Sequence, residues 1–127
     1  MFNEHQVLTP ETLARKLLER ILNKEVLDPV HFLGNRVRLN NFNNLSEPEL
    51  HYLIVRYQQR YSSLTSLAFS MVEKQLSNNR LIMKGFHETG CCFEHHCEII
   101  SGNWKIELKR HEDEWLVVSI DLEGVDF

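Results

Sequence analysis

The densest run of side chains able to do chemistry is His87-Glu88-Thr89-Gly90-Cys91-Cys92-Phe93-Glu94-His95-His96-Cys97. Imidazole, thiolate and carboxylate are all competent zinc ligands. Where they stand depends on how the surrounding strands pair. A reversal at Thr89-Gly90 brings His87 opposite Cys92, and a reversal at Gly102-Asn103 brings Glu94 opposite His111. His87, Cys92, Glu94 and His111 then share the outer face at one end of a sheet, with cross-strand neighbours about 5 Å apart. The spacing argues against a structural zinc centre. There is no C-x-x-C pair, and Cys91 and Cys92, as neighbours on a strand, point to opposite faces. The expectation is no metal and no cofactor, with Cys97 and Cys91 as small core residues and the histidines half-exposed.

The same registers place Lys84, His95 and Arg110 in one row on the inner face, next to Phe86, Phe93 and Leu108. Three basic groups at the mouth of an apolar cavity suit a carboxylate or phosphate, and one of them can do acid–base work. The plainer alternative is the open end of the sheet, with long stems reaching water. A third cluster, Tyr52, Arg56, Tyr57, Arg60 and Tyr61, has helical spacing. Tyr52, Arg56 and Arg60 form a candidate interaction surface suited to an acidic partner, since Tyr and Arg are enriched in interface hot spots. Core tyrosines under a solvated helix face are the alternative. No Ser/His/Asp order, phosphate-cradling glycine loop or nucleophile elbow occurs, so no catalytic residue is assigned.

These groups need elements to position them. Thr9-Pro10-Glu11 reads as a helix start, with a hydroxyl cap, proline at the first position and an acid near the positive dipole end. Leu13, Ala14, Leu17, Leu18, Ile21 and Leu22 form an apolar stripe, and Arg15, Lys16, Glu19 and Arg20 take the wet face, giving a helix over 10–24. Asp28-Pro29 signals a turn. A short strand or small hairpin around Gly34-Asn35 follows, with Val37 and Leu39 inward and 40–44 as a loop. Ser46-Glu47-Pro48-Glu49 is a capping box. Leu50, Leu53, Ile54, Tyr57, Tyr61, Leu64, Leu67, Ala68, Met71 and Leu76 then keep helical phase, which gives helices over 47–60 and 63–77 or one bent helix.

The last third reads as a four-stranded antiparallel meander over 80–88, 91–101, 104–111 and 115–122. Its turns fall at Thr89-Gly90, Gly102-Asn103 and Glu112-Asp113-Glu114. Alternation puts Trp104, Ile106, Leu108, Leu116, Val118, Ile120 and Leu122 toward the helices, with Ile99 beside Ile106.

A chain of 127 residues with 43% hydrophobic and 25% charged residues reads as one globular α+β domain over 1–127. A net charge of −4, with no Lys/Arg run longer than two, argues against nucleic acid, which needs a basic face. No apolar stretch approaches the roughly 20 residues of a membrane helix. Neither a basic n-region nor an apolar h-region opens the sequence. With three cysteines and no disulfide framework, these features point to the reducing cytoplasm.

The order of elements is informative: an amphipathic helix, a short strand near Val37-Arg38-Leu39, further helix, and a meander closing on Trp115-Leu116-Val117-Val118-Ser119-Ile120-Asp121. It resembles the cystatin-like α+β roll of the nuclear transport factor two-like and SnoaL-like families. The stretch from Gly102 through Leu108 to Asp121 is similar to their last hairpin. That resemblance implies a scaffold shared by isomerases, dehydratases, ligand binders, secretion components and toxin-neutralising proteins, so fold alone leaves function open. The expectation is a non-enzymatic binding or protein-interaction module that self-associates, as a homodimer, through its sheet or long helix. Its rivals are a small-molecule enzyme or binder of a small anionic ligand using Lys84, His95 and Arg110, and an immunity-type partner that neutralises a basic protein.

Overall fold

The structure, a computed structural model, describes residues 9–24 and 33–127. The Asp28-Pro29 turn expected from the sequence lies outside those residues. The elements run α1 (Pro10–Leu22), β1 (Leu33–Leu39), β2 (Phe42–Leu45), α2 (Glu47–Gln59), β3 (Ser63–Ser77), β4 (Arg80–Phe93), β5 (His96–His111) and β6 (Glu114–Leu122). Among the described residues the sheet is six-stranded and mixed rather than four-stranded, in the order β2-β1-β6-β5-β4-β3. The pairing of β1 with β6 is parallel, and the other pairings are antiparallel. Both helices pack on one face of the sheet, and the core lies between them.

Local signals place the helices. The amide of Thr12 donates to Thr9 Oγ1 at 3.2 Å, and Pro10 occupies the first helical position. Ser46 and Glu49 form the reciprocal capping box of α2. The apolar stripe of α1 is buried from Leu13 to Leu22, as its phase requires. Arg20 departs from the expectation. It is buried against α2 rather than solvated, because its helical angle falls beside Leu13 and Leu17 and not beside Arg15. Truncating fully buried Leu17 or Leu18 to alanine is expected to cost about 2–5 kcal/mol. Exposed Arg15→Ala should change little, and urea denaturation of the three variants measures the contrast.

Val37 and Leu39 are buried, as their alternation predicts. The hairpin between β1 and β2 turns at Asn40-Asn41 instead of Gly34-Asn35. Asn40 adopts φ 50°, a left-handed conformation that asparagine tolerates.

The largest correction concerns residues 63–77. They form strand β3, neither a second helix nor the continuation of α2. Two register shifts explain the misleading phase, one between Ser66 and Ala68 and one between Met71 and Glu73. Each adds a residue to β3. The residues paired with the inward positions of β4 are therefore Leu64, Ser66, Phe69, Met71, Lys74 and Leu76, spaced by twos and threes. That spacing reads as helical along the chain, while the energy that decides the matter comes from pairing with β4.

The sheet turns elsewhere too. Thr89-Gly90 and Gly102-Asn103 lie inside β4 and β5, and the chain reverses at Glu94-His95, where Glu94 has φ 49°. Ile99 therefore neighbours Gly90, and Ile106 sits between Met83 and Ile120. Trp104, Ile106, Leu108, Ile120 and Leu122 are buried as expected. A register shift on β6, where Glu107 meets Ser119 but Leu108 meets Val117, puts Val117 in the core and leaves Leu116 and Val118 half-buried.

The new reversal also sets Cys92 directly opposite Cys97 with their Cα atoms 4.0 Å apart, and the two form a disulfide. Cys97 is thus on the exposed face rather than in the core. The cytoplasmic expectation rested partly on unpaired cysteines, and that premise is gone. Among the described residues no helix is long and apolar enough to cross a membrane.

Candidate functional site

The registers disperse both clusters built around the expected turns. His87 points inward, fully buried, and pairs with Gly102 instead of Cys92. Cys92 is in the disulfide, Glu94 is in the turn, and His111 pairs with Glu114 at the far end of β5. Among the described residues no group of three or more His, Cys, Asp or Glu side chains is arranged to hold a metal ion. Lys84, His95 and Arg110 are likewise apart. Lys84 lies on the outer face beside Lys105, His95 sits in the β4–β5 turn, and Arg110 is at the opposite end, where its Nε donates to Glu112 O at 3.3 Å.

Between α2 and the sheet, the space is occupied by the chain itself, whereas a cavity of about 310 Å³ remains between α1 and β3, lined by Leu18, Phe69, Met71 and Trp104. After β6, Gly124 takes φ 86° and turns Val125 and Phe127 inward, where both are buried. The Phe127 ring lies 5.3 Å from that of Tyr57. Asn40 Nδ2 donates to the carbonyls of Leu122 and Val125 at 3.2 and 2.9 Å. His87 joins the same strap: its Nε2 lies 2.8 Å from the Glu123 carbonyl and its Nδ1 3.1 Å from Thr89 Oγ1. The carbonyl can only accept, so Nε2 carries the proton there. Both ring nitrogens are engaged, which makes His87 a structural residue.

Arg56 and Arg60, offered by the sequence as a receiver of acidic partners, hold this strap instead. Arg56 donates to the Phe127 carbonyl, and Arg60 donates to the carbonyls of Asp126 and Phe127. Arg56 also stacks between Phe42 and Tyr52, 5.9 Å from each ring centroid, and Tyr52 remains exposed. Beneath the strap, burial pushes the Tyr57 phenol far above its usual range, and the Cys91 thiol adds to the effect. Burial likewise raises Cys91 and Tyr61, which leaves the thiol protonated and a poor nucleophile.

The outer face is different. Leu67 and Ile99 are 53% and 65% exposed, and no side chain separates them because Gly90 lies between. Phe86 and Val72 extend the apolar surface toward a groove of about 650 Å³. That groove holds three cations (Arg38, Lys84, Lys105) and three anions (Glu73, Asp121, Glu123). Arg38 grips Asp121 with both terminal nitrogens, at 2.7 and 2.6 Å, which raises its already high pKa further. Lys84 and Lys105 are direct cross-strand neighbours, an unfavourable like-charge pair that Glu73, 3.9 Å from Lys84, partly offsets.

The sequence reading missed this face because it assigned Leu67 and Val72 to a helix and Phe86 to the interior. It also missed Phe127, for which no periodic signal exists.

No family model matches the sequence, and no curated protein does. Solved structures do match the fold. The Kfla4162 protein of Kribbella flavida superposes with a TM-score of 0.70 at 13% identity, over 87% of this chain and 84% of that one. LinA gives a TM-score of 0.70 at 9% identity, over 92% and 89%. A Streptomyces avermitilis protein, named as a dehydratase from the nuclear transport factor two-like family, gives 0.55 at 9% identity, over 69% and 67%.

Proposed function

We propose that this chain, which has the nuclear transport factor two-like fold, is a non-enzymatic interaction module that associates through the outer face of its sheet, and that the occupant of that face is a second copy of the chain. The carrying observation is the apolar surface of Leu67, Val72, Phe86 and Ile99, left uncovered on β3, β4 and β5, of which β4 buries its other face from Leu81 to Cys91. Monomers seldom leave adjoining large apolar side chains in water. The polar half of the face suits self-association: its groove carries equal numbers of opposite charges, so a second copy meets complementary groups without net repulsion. The face of three long strands spans several hundred Å², and with β6 it approaches the about 800 Å² per partner of a standard interface.

Sedimentation equilibrium tests the reading. The wild-type chain is expected to sediment at twice its monomer mass at micromolar concentration. Ile99→Glu and Leu67→Glu are expected to sediment as monomers with unchanged circular dichroism, since both side chains are exposed in the single chain. A wild-type protein that stays monomeric across the concentration range would remove the proposal.

A further inference from the structure

We infer that Arg20 is the anchor of a binding site for a small organic monocarboxylate, set between α1 and the first turn of α2. The observation is that Arg20, 5% exposed as a residue, has no carboxylate within ion-pair distance of its guanidinium among the described residues. Its recorded partner is neutral: Arg20 Nη1 donates to Gln58 Oε1 at 3.2 Å. Gln58 is itself fixed, its amide nitrogen donating to the Arg20 and Ile21 carbonyls at 2.7 and 3.0 Å, so the guanidinium is held in place rather than mobile. A buried cation without a counter-charge is among the costliest arrangements a fold can carry. Burial also lowers the Arg20 pKa, because desolvation disfavours the charged form.

The guanidinium lines a cavity of about 340 Å³, within the size range of small-ligand pockets. Leu33, Pro48, Leu50 and Ile54 supply apolar walls. The planar fork of arginine matches a carboxylate with two parallel hydrogen bonds, and the walls suit a compact apolar body behind it. Among the described residues two other charged or titratable groups line the cavity, both on the first turns of α2. His51 adds a second donor. Glu47 opposes any second negative charge, which favours a monocarboxylate over phosphate or a dicarboxylate. The site lies on the helix side of the sheet, away from the outer face, so it stands or falls independently of the self-association proposed above.

Isothermal titration calorimetry of the full chain with benzoate provides the test, with benzamide as the neutral isostere and inorganic phosphate as the multivalent control. Benzoate is expected to bind and to raise the melting temperature by mass action, with benzamide and phosphate binding at least about tenfold more weakly. Arg20→Met keeps an unbranched apolar stem in the site while removing the charge. It is expected to fold with stability equal to or above wild type, because it deletes a buried cation that has no carboxylate partner among the described residues, and to lose at least about tenfold in benzoate affinity. Glu47→Gln is expected to narrow the gap between benzoate and phosphate. The inference is overturned if benzoate does not bind wild type, if benzamide binds equally well, or if a folded Arg20→Met protein keeps wild-type benzoate affinity.

Discussion

Gly85→Ala is expected to cost about 3 kcal/mol or more, beyond the usual range for overpacking, and to leave the chain largely unfolded in mild urea. A Cβ at this position would lie 1.8 Å from the Ser70 carbonyl oxygen and 2.5 Å from the Trp104 indole. Neither neighbour can yield. Trp104 is buried, and its indole reaches over β4 at Gly85 so that Nε1 can donate to Ser70 O at 3.1 Å. Ser70 is itself part of β3, held by its pairing with Phe86. The indole therefore ties β5 to β3 across the intervening strand, and only a residue without a side chain leaves room for it. Gly90→Ala on the same strand is the control. The added methyl would meet only the flexible Leu67 side chain, at 3.6 Å, so the change should be within about 0.5 kcal/mol. Equal melting temperatures for the two variants would show that the indole does not cross there.

Phe127→Ala is expected to cost about 3–5 kcal/mol, the range for a buried aromatic truncated in a site that cannot collapse. The ring is 3% exposed and packs against Tyr57, whose hydroxyl has no hydrogen-bond partner among the described residues. Removing the ring opens a void beside that buried phenol and loosens the strap whose carbonyls Arg56 and Arg60 hold. Asp126→Ala, at an exposed neighbour whose backbone carbonyl is retained, should change stability little. Chemical denaturation read by far-ultraviolet circular dichroism separates the two, and matching midpoints would mean that the strap is not part of the core.

The parts of this fold legible in the sequence are those encoded within a few neighbouring residues. Thr9-Pro10 and the Ser46/Glu49 box start helices where they stand, because a cap bonds an amide only two or three residues away. The stripe from Leu13 to Leu22 faces the core because helical phase carries no dependence on the rest of the chain. Arg20 was legible by the same rule, since its angle places it beside Leu13. Residue type outweighed phase in assigning it to solvent.

The candidate sites were not legible, because both rested on strand register. Moving one reversal from Thr89-Gly90 to Glu94-His95 turned His87 into the core, paired Cys92 with Cys97, and separated Lys84 from His95 and Arg110. Register is set by pairing between residues far apart in the chain, and the two bulges of β3 hide its period.

The sequence by itself determined a helix-containing α+β chain, where its two helices begin, and the identity of most of its core, since local hydrogen bonding and hydrophobic periodicity are properties of short segments. Only the tertiary structure decided that residues 63–77 are strand, that the strap packs between α2 and the sheet, and that an apolar face stays uncovered. Each of these follows from which distant segments meet, and a segment's own propensity is too weak to overrule the burial and backbone pairing gained when they do.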